Sequence, residues 1–73
     1  MSLTEFETLD INGKADYLWN YQPLDERREA EHTILLYSLP KFYAEVHYHW
    51  GDNRVVEITA FTELKHLSPY LKK

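Results

Sequence analysis

From Phe42 to Trp50 every even position is apolar (Phe42, Ala44, Val46, Tyr48 and Trp50), with Tyr43, Glu45, His47 and His49 set between them. Side chains alternate across a strand, so a period of two dictates a strand with one apolar face. Gly51, Asp52 and Asn53 follow as turn residues, because Gly and Asn tolerate positive φ. The next stretch, Arg54 to Leu64, alternates again: Val56, Ile58 and Ala60 fall on one face, Val55, Glu57, Thr59 and Phe61 on the other. An antiparallel hairpin keeps like faces together, since a slip of one residue turns every side chain over. A loop over residues 51–53 does so, placing Trp50 opposite Arg54, Tyr48 opposite Val56 and Val46 opposite Ile58. A loop of Asp52 and Asn53 alone sets Val46 against Thr59 and mixes the faces.

Upstream, His32 to Leu39 is apolar on both alternating sets, Ile34 and Leu36 against Leu35, Tyr37 and Leu39, so that strand is expected to be covered on both sides. Pro40 and Lys41 make a tight connection into the alternating strand. Residues 24–33 are ambiguous. Their helix propensity is high, yet between Leu24 and Ile34 only Ala30 is apolar, and a helix there would bury no face. A polar edge strand near Leu24 to Arg28, or an irregular excursion, is favoured, with charges on both faces blocking edge-to-edge pairing. The N-terminal stretch reads as a short first turn and then a helix from about Ile11 to Asn20. Ser2 with Glu5, or Thr4 with Glu7, has capping-box spacing, and Asp10 caps a stripe of Ile11, Ala15, Leu18 and Trp19. At the other end, Ser68 as N-cap and Pro69 at the first helical position start a final turn docked by Leu67, Tyr70 and Leu71.

These 73 residues make one domain, 1–73, and a core of this size leaves little surplus stability. With no cysteine, the chain has neither disulfides, thiolate metal sites nor cysteine nucleophiles, which fits a reducing, cytoplasmic setting. The first ten residues carry Glu5, Glu7 and Asp10 without a basic start or apolar run, so neither a signal peptide nor a membrane anchor is expected. Charge is uneven: residues 1–31 hold eight acids and three bases, net −5, and residues 32–73 hold four acids and five bases, net +1. That asymmetry argues against a phosphate-binding patch of clustered Lys and Arg, and only the terminal Lys72 and Lys73 are adjacent lysines.

The succession "DYLWNY", "LLYSL", "FYAEVHYHW", a turn, "VVEITAF" and a terminal "LSPYL" resembles a group of small, uncharacterised single-domain bacterial proteins. The likeness runs from about Leu3 to Leu71. It implies an antiparallel meander with an N-terminal helix and a bacterial source, and it implies no activity.

Chemistry-bearing residues gather on the mixed face of the hairpin. His47 and His49 project the same way, roughly 7 Å apart along the strand, and Glu57 faces His47 across the ladder. Two histidines and a carboxylate can hold a metal, and His32 or His66 can add to such a set only where the fold brings them close. Solvated cross-strand His–Glu pairing is the plainer account, and a pH-sensitive contact is a further one. The eleven aromatics point elsewhere. Trp19 and Trp50 are the largest anchors, and Tyr43 faces Phe61 on the nominally polar side, which predicts that this side meets either the C-terminal turn or another chain. Two glycines leave no phosphate-cradling loop, the serines lack a nucleophile elbow, and the pair Glu45 and Glu57 reads as solvated strand carboxylates rather than an acid-base couple.

The expectation is an α+β domain, an N-terminal helix packed on an antiparallel three- or four-stranded meander with a short C-terminal helical turn. Its expected role is a non-enzymatic protein-interaction module without cofactor, a homodimer or an accessory subunit of a bacterial assembly. Its surface would be Tyr43, His47, His49, Trp50, Glu57 and Phe61, with neither nucleic acid nor membrane as partner. Alternatives are an acidic inhibitor or antitoxin-like protein docking a basic partner, and a metal or small-molecule binder at His47 and His49.

Overall fold

The computed structural model describes residues 1–49, 51 and 54–71. Two helices open the chain, α1 (Leu3–Glu7) and α2 (Ile11–Leu18), each started by the cap its sequence encodes. At α1 the Ser2 hydroxyl accepts from the Glu5 amide at 3.2 Å while the Glu5 carboxylate accepts from the Ser2 amide at 2.9 Å. These reciprocal bonds satisfy two amides that the first helical turn leaves orphaned. Asp10 does the same for α2, accepting from the Gly13 amide at 2.8 Å. The helix ends at Leu18, two residues short of the expected Asn20, and its stripe is only partly used. Leu18 is buried, but Ile11 and Trp19 remain 40% and 48% exposed. Trp19 lies flat at the margin of the helix layer, its ring 6.3 Å from Tyr48 and nearly parallel to it.

Four strands follow in sequence order as an antiparallel meander: β1 (Asp25–Glu29), β2 (His32–Ser38), β3 (Tyr43–His49) and β4 (Arg54–Phe61). The ambiguous segment is therefore an edge strand, paired Asp25 to Leu36 through Glu29 to His32. Ala30 turns the hairpin at φ 51°, a left-handed conformation that costs an alanine about 1 kcal/mol. β2 is covered on both sides, with Ile34 and Leu36 2% exposed and Tyr37 3% exposed.

Between β3 and β4 the expected register holds from Tyr43 opposite Phe61 to His47 opposite Glu57, including Val46 opposite Ile58. It then shifts. Tyr48 lies opposite Val55 and His49 opposite Arg54, so Val56 is the extra residue of a β-bulge. The bulge corrects the expected pairing of Tyr48 with Val56. It also exchanges the valines, packing Val55 against the core and leaving Val56 46% exposed. Trp50, Asp52, Asn53, Lys72 and Lys73 lie outside the described residues.

Phe6 and Leu18 from the helices meet Tyr37, Leu39, Phe42, Ala44, Val46 and Ile58 on one side of the sheet, forming the main core. Ile34 and Leu36 face the opposite side. There the chain returns through a 3-10 turn (Leu64–Leu67) running directly into α3 (Ser68–Leu71). Ser68 is thus a helical residue in continuous turns, not the expected N-cap, and Tyr70 alone docks deeply: it is 6% exposed, whereas Leu71 is 79% exposed. No helix among the described residues is long and apolar enough to cross a membrane.

Candidate functional site

On the side away from the helices, alternation places Asp25, Arg27 and Glu29 of β1, His32, Ile34 and Leu36 of β2, Tyr43, Glu45, His47 and His49 of β3, and Glu57, Thr59 and Phe61 of β4. The C-terminal turns divide this surface into a covered half and an open half.

The covered half corrects the expectation for Glu45. Its carboxylate is not solvated: the residue is 9% exposed and accepts from the Tyr70 hydroxyl at 2.5 Å and from Arg27 Nη2 at 3.3 Å. Arg27 also pairs with Glu29 and lies 5.4 Å from the Tyr70 ring centroid, stacked over its face. One carboxylate thereby joins β1, β3 and α3. Burial, then the hydrogen bond to Glu45, pushes the Tyr70 hydroxyl far above its ordinary range, so it remains a donor. The arrangement suits holding the chain's end in place. Tyr70, Arg27 and Glu45 escaped sequence reading because they stand far apart in sequence. The available signal was a lone carboxylate among the apolar residues of β3.

Beside this cluster, Tyr43 and Phe61 stack as expected, centroids 5.6 Å apart at 18°, and His66 of the 3-10 turn lies 5.1 Å from Phe61. That half of the expected interaction surface is half-buried under the chain's own end.

The open half carries the histidines. His47 lies opposite Glu57, its Nε2 turned inward without a hydrogen-bond partner among the described residues. Cross-strand pairing brings His32 to His49, rings 6.0 Å apart edge to face, and His49 Nε2 lies 3.3 Å from a Glu31 carboxylate oxygen. His66 stands apart from them, on Phe61. Among the described residues no three His, Asp or Glu side chains gather closely enough to hold a metal ion, and no cavity opens to receive a small molecule. The open half therefore carries imidazoles on β2 and β3, the Glu31 carboxylate beside His49, and the exposed Glu57 on β4.

The sheet's two margins differ. β1 is five residues long, every one charged, whereas β4 is eight residues long and rich in β-branched and aromatic side chains. No strand pairs with the outer edge of either among the described residues. No family model, curated protein or solved structure matches the chain.

Proposed function

We propose that this chain is a non-enzymatic protein-interaction module, acting as a homodimer or an accessory subunit of a bacterial assembly in the cytoplasm, and that it recruits its partner along β4. The observation that carries this reading is the open outer edge of β4. An edge strand presents a row of unpaired amides and carbonyls, and an eight-residue strand dominated by Val, Ile, Thr and Phe is what strand addition exploits. Tyr43, His47, His49, Glu57 and Phe61 lie next to that edge and supply side-chain contacts around a backbone seam. Trp50, expected in the same surface, follows β3 in the chain outside the described residues.

The acidic alternative retains one supporting observation. Glu5, Glu7, Asp10, Asp16, Glu26, Glu29 and Glu31 are all exposed, and of the two arginines that interrupt that run in sequence Arg28 is exposed while Arg27 is drawn beneath Tyr70 with an 18% exposed side chain. Salt separates the two readings, because a charge-matched complex weakens steeply with ionic strength and strand addition hardly responds. The test is affinity capture from lysate of the source organism in low and high salt, with Val56→Lys as control, since a lysine on an edge opposes pairing. A stoichiometric protein partner, kept in high salt and lost with Val56→Lys, is expected. Capture abolished by salt but indifferent to Val56→Lys would transfer the function to the acidic surface.

A further inference from the structure

We infer that the sheet face beneath the C-terminal turns is a tyrosine-binding groove, filled by the chain's own Tyr70 and open to a tyrosine-bearing segment of a partner chain when the turns lift. The groove is separate from the outer edge of β4, so the two readings stand or fall independently.

Arg27 lies on β1 opposite Ile34, and Glu45 lies on β3 opposite Leu36. A ring that stacks over Arg27 and bonds Glu45 through its hydroxyl must cross β2, and Ile34 and Leu36, each 2% exposed, are the apolar residues on its path. The floor of the groove is therefore two aliphatic side chains flanked by a guanidinium and a carboxylate. That floor selects its occupant by charge. Arg27 already matches the charge of Glu45, with Nη2 at 3.3 Å, so what the carboxylate still accepts best is a neutral donor. A phenylalanine would fill the space but leave that acceptor without its second bond. A lysine would have to shed its water beside the Arg27 cation, and a phosphate or second carboxylate would meet Glu45. Tyrosine combines a neutral hydroxyl for Glu45 with a ring face for Arg27.

A buried, paired carboxylate contributes little net stability over an apolar side chain of its size. Ala44 and Val46, on either side of Glu45 in the chain, show how β3 seals the opposite face with apolar groups at 0% exposure. Glu45 thus serves to discriminate between occupants rather than to close the sheet. The covering segment is built to lift. Tyr70 is its one deeply seated residue, Leu64 and Leu71 are 68% and 79% exposed, and the ion pair of Glu63 with Lys65 joins the segment only to itself. Its 3-10 turn starts without a side-chain cap, and Thr62 and Glu63, exposed and in neither helix nor strand, form the hinge. While the turns are closed, tethering gives Tyr70 a local concentration on the order of millimolar, which an outside tyrosine has to match.

The probe is a fluorescently labelled peptide with the sequence of residues 62–71, titrated into the full chain carrying Tyr70→Ala, which vacates the groove. Binding roughly tenfold or more tighter than to the unaltered protein is expected, because Tyr70 no longer competes, and Tyr70→Phe in the peptide should weaken it by roughly tenfold. No binding by a folded Tyr70→Ala protein, or equal binding of the two peptides, would overturn the tyrosine groove. Hydrogen exchange on the unaltered protein tests the hinge without any substitution. The amides of His66 and Ser68, bonded to the Glu63 and Lys65 carbonyls, should open roughly a hundredfold more often than those of the β2–β3 ladder, at a rate that low urea leaves unchanged. Exchange of these two amides only with unfolding of the whole molecule would overturn the proposal, whether or not Tyr70→Ala folds.

Discussion

Where α1 and α2 cover the sheet, Phe6, Leu18, Ala44 and Val46 are sealed to 0% exposure, and aromatic rings from both layers interleave, Phe6 lying 5.0 Å from Phe42 and 6.0 Å from Tyr17. Where the C-terminal turns cover the other side, one side chain, Tyr70, is deeply seated, and its hydroxyl meets a carboxylate that an arginine also holds. Apolar contact is non-directional and scales with the area removed from water. A buried carboxylate instead requires its donors in place, and leaving one unpaired costs more than the bond contributes. The helix side is therefore sealed by many interchangeable contacts, and the other side by few specific ones.

The sharpest way to break this contrast is to damage each side once. Phe6→Ala removes a fully buried ring from the helix side and is expected to lower unfolding free energy by about 4 kcal/mol. In a domain this small that consumes most of the stability, so urea titration should show a largely unfolded variant at room temperature. Glu45→Gln keeps size and shape but deprives Arg27 and Tyr70 of their charged acceptor. About 3 kcal/mol is expected, the low end for a broken buried ion pair, because Arg27 retains Glu29 and an 18% exposed side chain. A Glu45→Gln protein as stable as the parent would show that the second side is closed by apolar packing after all.

The same contrast explains what was legible in the sequence. Periodicity reports faces, so the alternation of β3, the doubly apolar β2 and the capped starts of α1 and α2 could all be read directly. The register was readable as far as His47 opposite Glu57, because one apolar face pins it. The bulge was not, since Val55 and Val56 are equally apolar and either can turn inward. Glu45 was misread for a related reason. Alternation assigns it to the face opposite Val46 but cannot say whether that face is wet, and the group that covers it, Tyr70, arrives 25 residues later. Ile11 and Trp19 fit the helical stripe yet remain exposed, because a helix ending at Leu18 turns only part of that stripe onto the sheet. Within the expected interaction surface the Tyr43–Phe61 stack was legible as a cross-strand pair, whereas the division into covered and open halves depends on where the C-terminal turns cross.

The smallest of the three effects distinguishes contact from coverage at the C-terminal end. Tyr70→Phe keeps the ring over which Arg27 stacks and removes only the hydroxyl bonded to Glu45, so about 2 kcal/mol is expected at neutral pH, the range for a hydrogen bond to a charged group. Leu71→Ser, on the adjacent residue at 79% exposure, should change stability by less than about 0.5 kcal/mol. The pH dependence adds a second readout. The Tyr70 hydroxyl is raised by burial and then by Glu45, while in the unfolded chain it ionises near 10.0. The unfolded state therefore releases its proton first, so this contribution to stability is intact below pH 10.0 and is lost as pH climbs above it. Burial raises Tyr37 and Tyr48 as well, so Tyr70→Phe should retain an alkaline decline, but a shallower one. Parent and variant stabilities measured by urea titration should consequently converge above pH 10.0. Parallel curves would mean that the hydroxyl titrates alike in both states, and Tyr70 would then hold the chain's end through its ring alone.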